Sequence, residues 1–194
     1  MPHLEIAVIT WPEFLVGEAK AVEALFAAGL QRLHLRKPCA DAEALRGFME
    51  DIDKRFHRRI TVHGSPKLFG SLDVGGFHVP KGDIGEVGRG MRRSCSCHSL
   101  EEVAAFAPLC DYVFLSPIFD SLSKQGYKAA FSEETLTEGR QRGIISQRVY
   151  ALGGIMPERI GQVKSMGFGG VGVLGYIWEP PVTEAVERYS RLLL

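Results

Sequence analysis

Neither sign of charge dominates this chain, and no long apolar run interrupts it. Lys plus Arg and Asp plus Glu both total 23 among 194 residues, so the formal net charge is zero. A neutral chain has no general field to draw it onto nucleic acid or an anionic membrane, so any anion site has to be local. No run approaches the roughly 20 apolar residues that span a bilayer. Neither nucleic acid nor a membrane is therefore expected as a partner. Cysteine is scarce: Cys39, Cys95, Cys97 and Cys110 show no disulfide framework. The first ten residues carry Glu5 within a short apolar run and lack a basic n-region, which argues against a signal peptide. These absences together point to the cytoplasm, where thiols stay reduced. Linker-like and low-complexity segments are also lacking, so one domain over residues 1–194 is expected.

What is present is an ordinary globular composition, 45% apolar and 24% charged, arranged as short apolar runs alternating with helix-like stretches. Strands are predicted at Leu4 to Ile9, Arg32 to Arg36, Ile60 to His63, Gly76 to Val79, Arg92 to Cys95, Tyr112 to Leu115, Arg148 to Leu152 and Val171 to Leu174. Helices are predicted over Gly17 to Ala28, from Asp41 to about His57, from the capping box Ser99-Leu-Glu-Glu102, near Ser132 to Arg142, after Pro157, and from Val182 to Leu193. Short helical pieces are expected after the third and fourth strands. Successive strand–helix units require parallel strands joined by crossover helices. Eight units with one helix per strand favour a small α/β (β/α)8 barrel, with shortened third and fourth helices, over an open sheet.

In such a barrel the working residues lie at the C-terminal strand ends. Gly153-Gly154-Ile155 follows the seventh strand, and Gly172-Val173-Leu174-Gly175-Tyr176 runs through the end of the eighth. Glycines in both turns let backbone N–H groups approach an anion, so Gly153, Gly154, Leu174 and Gly175 are phosphate-binding candidates. On the second strand His34 and Arg36 alternate with Leu33 and Leu35. If the leucines pack outward, His34 and Arg36 point inward, and Arg36 and Lys37 supply positive charge for a phosphate or pyrophosphate. An ion pair with an acid on a neighbouring strand is the plainer alternative for them. The loop from Ser116 to Gly126 brings hydroxyls (Ser116, Ser123), Lys124 and a glycine, a composition suited to a lid over phosphate.

Histidines end strands two, three, four and five (His34, His63, His78, His98), and convergent histidines can bind zinc. The sequence has neither a close-spaced His pair nor a clear carboxylate ligand. Cys95-Ser-Cys97-His98 is too compact to surround one ion. Protein-bound zinc is therefore not expected from spacing alone.

The ordered set His34-Leu-Arg36, Gly76-Phe-His78, Ser94-Cys-Ser96-Cys-His98, Asp111-Tyr112, Ser116-Pro-Ile-Phe119, Ser123-Lys124 and Ala151-Leu-Gly153-Gly-Ile155 resembles the family of thiamin phosphate synthase and its sibling, the thiazole tautomerase TenI. The resemblance covers nearly the whole chain and implies a (β/α)8 barrel working in thiamin biosynthesis on a small phosphorylated thiazole. It implies that Arg36 contacts pyrophosphate and that Asp83 is one of two metal-binding aspartates. It further implies that Ser96 lines the site, that Lys124 is the sixth-loop lysine, and that Gly154 offers a backbone contact to thiazole phosphate. There are departures. The family's strand-two glutamine is His34, the lysine two positions after the arginine is Pro38, its Asn-Asp pair is His63-Gly64, and its Ser-Ala in the eighth unit is Gly175-Tyr176.

Three functions follow. A thinned pyrophosphate and metal site beside an intact anion site favours a TenI-like tautomerase needing no cofactor, with His34 or His63 as acid/base because the branch's usual histidine is Pro117 here. The alternative is a Mg2+-dependent synthase condensing hydroxymethylpyrimidine pyrophosphate with thiazole phosphate. The third is a non-catalytic binder of thiazole or thiamin phosphates. Association through helix faces, a homodimer included, is left open.

Overall fold

A computed structural model describes residues 4–120, 130–179 and 181–194. Eight strands lie in it: β1 (Glu5–Ile9), β2 (Arg32–Leu35), β3 (Ile60–His63), β4 (Gly76–His78), β5 (Arg92–Cys97), β6 (Tyr112–Leu115), β7 (Val149–Leu152) and β8 (Gly170–Val173). Each pairs in parallel with the next, and β8 pairs with β1, closing the barrel. The helices are α1 (Glu18–Ala27), α2 (Ala42–Glu50), α3 (Pro66–Phe69), α4 (Leu100–Phe106), α5 (Glu133–Gln141), α6 (Pro157–Ser165), α7 (Gly175–Trp178) and α8 (Ala185–Leu192). The expected (β/α)8 barrel is present. Its third helix has four residues, and only the 3-10 segment Lys81–Glu86 follows β4.

Alternation along each strand sorts side chains into two compartments. Val8, Leu33, Leu35, Val62, Phe77, Val113, Leu115 and Val171 belong to the outer core with the helices. Ala7, Ile9, Tyr112, Phe114 and Tyr150 form a separate apolar cluster. Around that second cluster the packing is largely polar. The Arg32 guanidinium pairs with Glu5 at 2.6 Å and stacks over Tyr112, and the Tyr150 hydroxyl donates to Glu5 at 2.7 Å. Burial opposes ionisation of Glu5, but the hydrogen bonds and charge of Arg32, with Tyr150, outweigh it and hold the carboxyl below its ordinary value.

Two element predictions need correction. The helix expected from Asp41 to His57 stops at Glu50, and a 3-10 segment, Lys54–Arg59, follows. Asp53 accepts the Arg55 N–H and restarts the chain as a cap, so the local side-chain bond competes with helix continuation. The region after β8 contains the short helix α7, and the helix expected from Val182 opens as a 3-10 turn before α8. Trp178 pins α7 by donating its indole N–H to the Ile9 carbonyl at 2.7 Å. This long-range contact is invisible in local periodicity.

Candidate active site

At the C-terminal strand ends lies a cavity of about 370 Å3, lined by residues of every strand unit except the fourth. That volume falls within the roughly 300–1,000 Å3 of small-molecule sites. Its walls combine apolar surface (Ile9, Phe114, Leu152) with the polar groups of Arg36, His63, Ser96, His98 and Ser116. Gly153, Gly154, Leu174 and Gly175 line the same cavity. The structure thus brings together most of the residues that the sequence singled out.

Arg36 sits just past β2, and its position is built by Thr10. The Thr10 hydroxyl accepts the Arg36 N–H at 2.9 Å and donates to the Arg36 carbonyl at 3.1 Å. Thr10 is fully buried, so this double contact is shielded from water. No carboxylate pairs with the Arg36 guanidinium among the described residues, which removes the ion-pair alternative for Arg36. A half-buried cation without a protein counter-ion is suited to an anionic ligand. Thr10→Val keeps the shape but deletes both bonds. We expect kcat/KM to fall about tenfold with the fold intact, as judged by steady-state kinetics and circular dichroism.

The opposite wall is backbone. Gly153 and Gly154 take φ of +101° and +63°, in the left-handed half of the map. A Cβ at Gly154 would lie 2.3 Å from the Asp120 carbonyl oxygen. Arg159 donates to the Gly154 carbonyl at 2.6 Å and stacks on Phe119, fixing the turn ahead of α6. The first N–H groups of α7 lack intrahelical acceptors, as at any helix start. These two turns line the cavity at the late loops, where this fold usually places its phosphate sites.

Other candidates land elsewhere. Lys37 does not face the cavity: its ammonium bonds Glu18 at 2.6 Å and the Trp11 and Glu13 carbonyls at 2.8 Å. All three donors are used, so it cannot serve as a phosphate ligand. His34 is fully buried below the cavity, bonded to His63 and to the Tyr112 hydroxyl, and meets no substrate directly. Burial holds the imidazoles of His34 and His63 well below their ordinary range, with neighbouring His78 adding to the effect. His78 is pushed down to about 3, by burial first and Arg36 second. His63 alone of the three lines the cavity. Ser123 and Lys124, with the lid expected around them, lie outside the described residues. Sequence reasoning missed Thr10 and also Tyr176, which lines the cavity. A lone threonine closing a strand carries no pattern, and a tyrosine after a glycine reads as packing.

Residues 8–177 match the family model described as thiamine monophosphate synthase. The chain belongs to that family. A thiamine-phosphate synthase of Bordetella pertussis is 30% identical over 189 residues, covering 87% of this chain and 84% of its own. A thiamine-phosphate synthase of Geobacillus kaustophilus is 29% identical over 154 residues, covering 75% and 68% respectively. A solved thiamine phosphate pyrophosphorylase of Bacteroides thetaiotaomicron superposes with a TM-score of 0.82 at 33% identity, covering 97% of this chain and 95% of that one. These relatives carry the synthase name, and they support that reading better than the TenI-like tautomerase favoured from the thinned pyrophosphate and metal site.

Synthase chemistry in this family implies Mg2+, and the residues here do not fit it. Asp83 lies on the 3-10 segment Lys81–Glu86 and is absent from the cavity wall. At the position of the second aspartate stands Gly64, with φ of +140° and a would-be Cβ only 2.3 Å from the Phe69 ring. The backbone there excludes any side-chain ligand. Mg2+ prefers oxygen donors, whereas the metal-ligating cluster found among the described residues is three imidazoles.

Proposed function

We propose that this chain joins a pyrimidine pyrophosphate to a thiazole phosphate, the thiamine-phosphate synthase reaction. The observation that carries this reading is an unpaired Arg36 in the same cavity as the Gly153–Gly154 turn, in a chain of this family. The glycine turns and the start of α7 bind the thiazole phosphate through backbone N–H groups. Arg36 holds the pyrophosphate and stabilises its charge as the C–O bond breaks and the electron pair leaves with it. The thiazole nitrogen lone pair then forms the new C–N bond to the pyrimidine methylene cation. Phe114, Ile9 and Leu152 keep the reacting centre dry. Pro117 stands where the tautomerase branch places its histidine, which favours the synthase.

His63, a neutral imidazole facing the cavity, supports one second reading, proton shuttling in a thiazole tautomerisation. An assay supplying both substrates, with and without Mg2+, separates them. Condensation to thiamin phosphate is expected; isomerisation of thiazole carboxylate phosphate without condensation would sink the synthase reading. Binding of either phosphate with no turnover would leave only the non-catalytic binder. Under the synthase reading the enzyme works in the cytoplasm, consistent with the lack of any helix long and apolar enough to cross a membrane among the described residues.

Gly154→Ala tests the phosphate wall separately. Its methyl meets the Asp120 carbonyl, backbone that cannot move aside cheaply. KM for thiazole phosphate should rise at least about tenfold, with a smaller change in KM for the pyrimidine substrate.

A further inference from the structure

The interior of the barrel holds a cluster that the proposed condensation leaves unused. His34, His63 and His78 come from three successive strands, and one ring nitrogen of each lies within 4.8 Å of the others. His34 Nδ1 faces His63 Nε2 at 2.9 Å, and the rings of His63 and His78 stack at 4.2 Å. Spacing along the chain had argued against such a site, because the histidines are far apart in sequence. Parallel register brings them together: His63 pairs with His78 across β3 and β4, and His34 with Thr61 across β2 and β3.

We propose that these three histidines form a binding site for one divalent transition-metal ion of the zinc and cobalt class, open to the cavity. Two features beyond proximity favour a metal over a simple hydrogen-bonded cluster. First, the rear nitrogens of two of the rings are already fixed. His34 Nε2 is 2.7 Å from the Tyr112 hydroxyl, and His78 Nδ1 is 2.9 Å from the Ser94 hydroxyl. In metal sites a ligating histidine donates its second ring N–H to such an oxygen, which sets the tautomer and aims the other lone pair inward. The other nitrogens face the shared centre: His34 Nδ1 meets His63 Nε2, and His78 Nε2 lies 3.0 Å from the Ser96 hydroxyl, a contact that the ion would replace. Second, the set is three protein ligands with an open side. His63 and Ser96 border the cavity, so a water or a ligand oxygen can take the fourth position, as in catalytic rather than structural zinc sites.

A Zn–N length of about 2.0–2.1 Å places tetrahedral ligand nitrogens roughly 3.3 Å apart. On loading, the His34–His63 contact therefore opens by a few tenths of an ångström while wider separations, up to 4.8 Å, close toward that value, with half-buried His63 moving most. No carboxylate belongs to the cluster, so the bound ion keeps its full charge for an anionic ligand in the cavity. This is a nitrogen-donor cation site beside a position, Gly64, that cannot hold an oxygen donor.

The test uses the full chain, stripped with a chelator and titrated with Co2+, followed by Zn2+ competition. The expected result is one equivalent of Co2+ with the visible absorption of a four- or five-coordinate ion, displaced by one equivalent of Zn2+. His63→Ala should weaken Co2+ affinity at least about 100-fold, and Tyr112→Phe about tenfold through the His34 contact. His34→Ala risks the barrel interior, whereas His63 borders the cavity, so the decisive variant is His63→Ala, with its fold checked by circular dichroism. No saturable Co2+ binding by the wild-type chain, or binding that His63→Ala leaves unchanged, would overturn the proposal. The readout involves no turnover, so failure of the condensation assay and failure of metal binding are separate results.

Discussion

Replacing Arg36 by alanine is expected to lower kcat/KM for condensation by at least about 100-fold, or roughly 2.7 kcal/mol of transition-state stabilisation. In the proposed condensation, negative charge develops on the leaving group. Pyrophosphate departs carrying its electron pair, and Arg36 is the cation in the cavity wall that no protein carboxylate neutralises among the described residues. The nearby Lys37 cannot compensate, because all its donors are spent on Glu18 and two carbonyls. Arg36→Lys should recover only part of the loss, since a point charge replaces a planar fork matched to phosphate oxygens. Steady-state kinetics with the pyrimidine substrate varied would check this. A loss of less than about threefold in Arg36→Ala would remove Arg36 from the mechanism.

The largest stability effect is expected at the Lys37–Glu18 pair. Both side chains are almost fully buried, at 1% and 0% exposure, with a 2.6 Å contact. Burial pulls the ammonium of Lys37 below its ordinary value, with Glu18 opposing that pull. Lys37 also ties down the Trp11 and Glu13 carbonyls, and it lies over the Phe14 and Phe48 rings. Lys37→Met strands the Glu18 carboxylate in an apolar setting where one of its oxygens already lacks a partner. Loss of one partner of a buried pair costs about 3–5 kcal/mol, so Tm should drop by roughly 10 °C or more. The double variant Glu18→Gln with Lys37→Met removes the stranded charge and keeps an acceptor for the Leu15 N–H, so it should regain much of that loss. Urea denaturation of the three proteins would decide it. A single variant as stable as the wild type would show that the pair is dispensable.

Much of this protein was legible in its residues. Eight apolar runs separated by caps and glycines announced a closed parallel barrel, because strand and helix periods are local properties of the chain. Asp41, Ser99 and Ser132 cap the helices they were expected to start, each by accepting a backbone N–H within the next turn. Gly153, Gly154 and Arg36 were placed at the mouth of the barrel by the strand ends that they follow. The departure at Gly64 was also visible as a missing carboxylate.

The tertiary structure decided what depends on direction and distance. Arg36 and Lys37 are adjacent in sequence, yet the pleat turns one toward the cavity and the other into a buried ion pair with Glu18. His34 and His63 are both histidines at strand ends, but a deeper position along the barrel axis separates a sealed imidazole from one that borders the cavity. Thr10 became a positioning residue only when β1 and β2 were aligned, and Trp178 became an anchor only when α7 folded back onto Ile9. Local sequence determined which elements form, since capping and periodicity act within a few residues. Which side chains share a site was decided by strand register, a long-range property that no short window of sequence contains.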